Sequence, residues 1–205
     1  MMENGNQEIL LKRRSARACI RDGVLFYVTK FRQIFRQSWP IALGYALLST
    51  IALSIPIFIS KDLFCWGILM SVIAVALLLA GTRLRLHKRQ IIHASGKVSF
   101  RSWISHLGAI ILIAIVCLFV VSILTLFTSL PSIILMTANW QAQTGIENGD
   151  LVGMPEHVRW LSLATFIISG FIQAYIWISV LFPFHLLKAS ISRKEEEIKK
   201  YNISK

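Results

Sequence analysis

Apolar and polar positions separate into long blocks in this chain. Gln37–Ser60, Leu63–Thr82, Ser102–Ile146 and Trp160–Leu187 contain no Asp, Glu, Lys or Arg. A helix needs roughly 20 apolar residues to cross the hydrocarbon of a bilayer. All four blocks meet that length, the third through its apolar heart Leu107–Phe127. In lipid the backbone must satisfy its own hydrogen bonds, and unbroken apolar runs do so as helices. The alternation of a membrane β-barrel is absent. The pattern predicts spans at about 38–59, 63–82, 104–129 and 160–187.

Periodicity changes outside the blocks. Between Ile9 and Arg36, Ile20, Val24, Tyr27, Phe31, Phe35 and Trp39 recur three or four residues apart. That is an amphipathic helix, suited to the membrane interface or to covering the inner end of a bundle. Pro131 follows the third span and can start a short outer surface helix, "PSIILMTANWQAQ", ahead of the turn-rich "TGIENGDLVGMP". In the tail, Glu195 with Lys199 and Glu196 with Lys200 have helical ion-pair spacing. The expected architecture is all-α: a four-helix transmembrane bundle, an N-terminal amphipathic interfacial helix and a short outer surface helix. Its parts are a cytoplasmic helix (1–36), a membrane domain (37–187) and a charged cytoplasmic tail (188–205). The membrane domain holds an inner basic loop (83–103) and an outer loop (131–159).

Composition strengthens the membrane reading. Of 205 residues, 55% are hydrophobic and 16% charged, and the mean hydropathy is +0.63. A soluble domain of this size needs more charge on its surface. The net charge is +12, and its distribution orients the chain. Eight Lys/Arg precede the first span, six lie in 83–103 and six in the tail; Lys61 and Arg159 are alone in the other two connections. Basic loops stay cytoplasmic. Both termini and the 83–103 loop are therefore expected inside, in the inner membrane of a bacterium. The basic loop has two readings. It encodes topology alone, or Arg83, Arg85, Lys88, Arg89, Lys97 and Arg101 also touch anionic lipid. Nucleic acid is not expected, because no aromatic residue interleaves Arg83–Arg89 and no recognition motif is present.

Candidate chemistry is sparse. No charge lies deep in a span, which argues against an ion-coupled pump. Cys19, Cys65 and Cys117 lack metal-ligand spacing. His106 and His185 read as interface residues, and Glu156-His157 is too short a pattern to define a metal site. No nucleophile elbow, phosphate loop, paired-carboxylate motif or HExxH occurs. No catalytic residue, cofactor or metal is expected. Two stripes remain. Ser162, Thr165, Ser169 and Gln173 share one face of span four, flanked by Gly170 and Ala174. Ala42, Ala46, Thr50 and Ser54 recur every fourth residue in span one. Such stripes serve close helix packing, or they line a groove or a seam between copies.

The stretch "FRQIFRQSWPIALGYALLSTIALSIP" (Phe31–Pro56) resembles the helix leading into the membrane in bacterial polytopic proteins related to the glycerophosphodiester phosphodiesterase membrane domain. The likeness lies in the aromatic and basic approach, the Ser-Trp junction and the small-residue span. It implies a polytopic inner-membrane protein and transfers no catalytic residue. The function expected is a non-enzymatic accessory, scaffold or assembly subunit, in contact with membrane lipids and with another membrane protein or further copies of itself. The alternative is a transporter or channel component with its pathway at the span-four stripe.

Overall fold

The computed structural model describes residues 15–58, 64–89, 100–149 and 155–203. They form seven helices and no strand: α1 (Ala16–Thr29), α2 (Phe31–Phe58), α3 (Phe64–Lys88), α4 (Phe100–Ser105), α5 (Leu107–Glu147), α6 (Glu156–Ser179) and α7 (Leu181–Ile203). Among the described residues, three stretches are long and apolar enough to cross a membrane: Cys65–Lys88, Leu107–Ile146 and Glu156–Lys194.

Local chemistry sets the boundaries. Ser15 caps α1, its hydroxyl accepting from the Ala18 amide at 3.3 Å and supplying an acceptor that the first turn lacks. Glu156 opens α6, where a carboxylate complements the helix dipole. The chain breaks at Val180, and Pro183 sits in the first turn of α7. Proline has no N–H for the Ser179 carbonyl, so it is tolerated at a helix start and not in its interior. The predicted single span 160–187 is thus two helices.

A second correction concerns Pro131. The expected surface helix does not start there, and the expected outer loop 131–159 is helical as far as Glu147. Helix α5 runs unbroken for 41 residues with Pro131 inside it. At 1.5 Å per residue it is about 60 Å long, roughly twice the hydrocarbon thickness. The hydroxyls of Thr128 and Ser129, beside the proline, bond to carbonyls three or four residues back. These bonds fall on the turn before the Phe127 carbonyl, which the proline leaves without its usual donor. The predicted edge of the N-terminal helix at residue 36 also moves: α1 ends at Thr29, Lys30 forms a turn, and α2 continues into the predicted first span. Residues 1–14, the Lys61 turn and residues 90–99 of the basic loop lie outside the described residues.

The chain forms two compact units, with α2, α3 and α5 each contributing a segment to both. The first comprises residues 1–37, 83–120 and 179–205. Its core joins Cys19 of α1, Ile113 and Cys117 of α5, and Leu186, Leu187 and Ile191 of α7. Helix α1 approaches α7 closely at Gly23, where a Cβ would stand 2.7 Å from the Pro183 nitrogen. Phe26 and Tyr27 both place their rings 5.5 Å from that of Phe182. The buried face of α1 is therefore built on Cys19 and Gly23, while Val24, Leu25 and Val28 are exposed. Of the apolar face read from the sequence, Val24, Phe31, Phe35 and Trp39 are exposed and Ile20 and Tyr27 half-buried. The helix has a packed side and a separate exposed apolar side.

The second unit comprises residues 38–82 and 121–178. Its interior includes Ala42, Tyr45, Ala46, Ala74, Leu78, Phe166 and Ile178. Its exposed residues include Leu47, Leu48, Ile51, Val72, Phe127, Ile134 and Ile168, which is the surface expected of helices solvated by lipid.

Candidate functional site: a polar seam between two apolar helices

Within the second unit, α5 and α6 meet along small and polar side chains. The Asn139 amide donates to the Ser162 hydroxyl at 3.0 Å and to the Leu135 carbonyl at 2.7 Å. Ser162 in turn donates to the Val158 carbonyl at 2.8 Å. Further along, Ser169 donates to the Thr128 carbonyl at 2.9 Å, and Gln173 donates to the Ser169 hydroxyl at 3.1 Å. Thr128 neighbours Phe127, whose carbonyl loses its usual donor to Pro131. Ser169 bonds to the carbonyl next to that one.

Of the four span-four residues singled out from the sequence, Ser162 and Ser169 are buried and Gln173 half-buried in this seam. Thr165 is half-buried and bonds only within its own helix, to the Leu161 carbonyl. The Gln173 amide bonds to Ser169, one turn back in its own helix. Span one meets α6 elsewhere. At Gly170 a Cβ would stand 2.8 Å from the Ser49 hydroxyl and 3.2 Å from the Ala46 Cα. Glycine there lets α2 and α6 approach at backbone distance. Ala42, Ala46 and Thr50 of the small-residue stripe are buried and Ser54 half-buried.

Two seam residues escaped the sequence reading. Asn139 is 4% exposed and Ser132 6% exposed. With Thr128 they are spaced four and seven residues apart, which is one helix face. A predicted helix break at Pro131 cut that face in two. The Ser132 hydroxyl has no hydrogen-bond partner among the described residues, nor do those of Thr125 and Thr82. Other hydroxyls, such as Ser71, Thr137 and Thr144, bond back to their own helix. The carbonyl that Ser132 would ordinarily use, that of Thr128, accepts from Ser169 instead.

Beyond the seam, an open groove of about 510 Å³ follows the last turns of α5, lined by Thr137, Trp140, Gln141, Thr144, Gly145 and Asn148. Of the candidate lipid contacts, Arg83, Lys88 and Arg89 are exposed and Arg85 half-buried, and none pairs with a carboxylate among the described residues. Arg101 lies in α4, and Lys97 falls outside the described residues. No group of three His, Cys, Asp or Glu comes together among the described residues.

No protein-family model, curated protein or solved structure matches the chain.

Proposed function

We propose that the chain is a four-span protein of the bacterial inner membrane, with both termini cytoplasmic, acting as a non-enzymatic accessory, scaffold or assembly subunit. One observation carries this reading. The stripe that could line a path is instead engaged in helix packing: Ser162 holds Asn139, Ser169 holds the Thr128 carbonyl, and Gln173 holds Ser169. The first two of these bonds cross between α5 and α6, and interhelical bonds join helices that gain nothing from the hydrophobic effect in lipid. The topology is supported by charge, since 20 of the 22 Lys and Arg belong by sequence to the segments of the first unit and only Lys61 and Arg159 to the second. The likeness of Phe31–Pro56 to bacterial polytopic proteins supports the compartment. Partners are membrane lipids and a second membrane protein or further copies of the chain.

Two experiments test this. Impermeant maleimide applied to intact cells should label Asn148→Cys and leave Ser95→Cys unlabelled; the reverse pattern overturns the topology. Purification under mild conditions should return a stoichiometric membrane partner or a defined oligomer. A monomer that moves a solute in vesicles would instead establish the second reading, a transporter or channel component. The buried hydroxyls of Ser132, Thr125 and Thr82 favour that alternative, because polar groups without protein partners are those a solute or water would use.

A further inference from the structure

The first unit holds a pair of basic groups that the seam does not involve. Lys194 Nζ of α7 lies 3.4 Å from His106 Nε2, in the turn between α4 and α5. The other ring nitrogen, Nδ1, is 2.9 Å from the Ser102 carbonyl oxygen. A carbonyl only accepts, so Nδ1 carries hydrogen and Nε2 of the neutral ring is left as an acceptor facing the ammonium. Ser105, with its hydroxyl 2.9 Å from Nδ1, completes the ring's contacts. Lys194 is exposed, and neither it nor His106 touches a carboxylate among the described residues. A lysine that leans on an imidazole keeps hydrogens for an anion and is half of an anion site. Protonation at Nε2 would turn both groups into donors aimed at one point.

The position within each helix indicates the anion. His106 immediately precedes the apolar stretch that starts at Leu107, and Lys194 lies two turns beyond Leu187, where the charge-free run of α6 and α7 ends. Both groups therefore stand where hydrocarbon gives way to headgroups. Trp103, half-buried one turn before His106, is a residue type suited to that layer.

We propose that Lys194 and His106 clamp a phosphate group at the membrane surface, that of an anionic phospholipid headgroup. One phosphate oxygen accepts from the ammonium and a second from the imidazolium. The test uses the full-length protein in neutral detergent, with bound phosphatidylglycerol counted by native mass spectrometry. One lipid should be held more tightly than the rest. Lys194→Gln and His106→Gln should each weaken that lipid roughly tenfold, as expected for loss of one charge-assisted hydrogen bond. Lys194→Arg should retain it, and so should Arg32→Gln, which removes a charge elsewhere. Nitrogen-15 spectra of the His106 ring should respond to phosphatidylglycerol and not to inorganic phosphate at the same concentration. A response to inorganic phosphate with no lipid retained supports the clamp and makes its ligand a free anion. Equal retention by all variants overturns the proposal, as does equal loss in Arg32→Gln, which would mean diffuse attraction. Silence toward both phosphates also overturns it, and leaves Lys194 to the acids that follow it in the chain, Glu195 to Glu197.

Discussion

The two units are held together by different forces. The first has a core of apolar side chains, Cys19, Ile113, Cys117, Leu186, Leu187 and Ile191, and most of the chain's cations belong to its segments. The second adds serine, threonine, asparagine, alanine and glycine to a buried set that includes Leu78, Phe166 and Ile178. Both units expose large apolar side chains within stretches of membrane length, Leu118 and Phe119 in the first and Phe127 and Ile168 in the second, so the difference lies in what their buried faces are made of. Large apolar side chains packed on one another leave a cavity when truncated. Small and polar side chains give close backbone approach and interhelical hydrogen bonds.

If that contrast holds, the largest losses come from apolar truncation in the first unit. Leu186→Ala should cost about 2–5 kcal/mol, the range for buried leucine, read from denaturant unfolding in micelles. Ser162→Ala in the second unit should cost less, about 1 kcal/mol for the bond to Asn139. Equal losses at the two positions would break the comparison.

Glycine sharpens it next. Both units use one where two helices touch, but the obstacles differ. At Gly23 an added methyl meets the nitrogen, Cα and Cδ of Pro183, all within 2.9 Å, and the fixed proline ring cannot move aside. At Gly170 the nearest atom is the Ser49 hydroxyl, which can rotate away, and the Ala46 Cα behind it stands at 3.2 Å. Gly23→Ala should therefore cost about 1–3 kcal/mol, as overpacking does, with Gly170→Ala at the lower end. Thermal unfolding of the two variants in the same detergent decides the order.

How much of this could be read from the sequence depended on which rule governed each segment. Long apolar runs have few alternatives, so the helical class and three of the four membrane-length blocks were legible. The small-residue stripe of span one and the seam serines of span four were legible too, because helical spacing puts them on one face whatever they touch. The breaks were not. Pro131 and Pro183 obey the same steric rule, yet one sits inside α5 and the other opens α7. Nothing in the local sequence separates the two. Asn139 was hidden for the same reason, since its face becomes continuous with Thr128 only when Pro131 is tolerated. The packed side of α1 was obscured because Cys19 and Gly23 are weak hydrophobic signals beside Val24 and Leu25, and small size is what brings α1 onto Pro183.

The smallest expected effect tests the seam as a chain of bonds. Gln173 donates to Ser169, and Ser169 donates to the Thr128 carbonyl beside the site that Pro131 weakens. Gln173→Leu removes the outer link and leaves the inner one, so it should cost about 0.2–0.5 kcal/mol, the worth of a side-chain pair one turn apart on a helix. Ser169→Ala removes both links, so it should cost somewhat more. Once Ser169 is gone, Gln173 has nothing left to hold there. The double variant should then lose little beyond Ser169→Ala, and a double-mutant cycle should return a coupling comparable to the Gln173→Leu effect itself. Strict additivity would mean that Gln173 acts through some other contact. A Gln173→Leu protein of unchanged stability that no longer passes a solute would assign the residue to a pathway and the seam to transport.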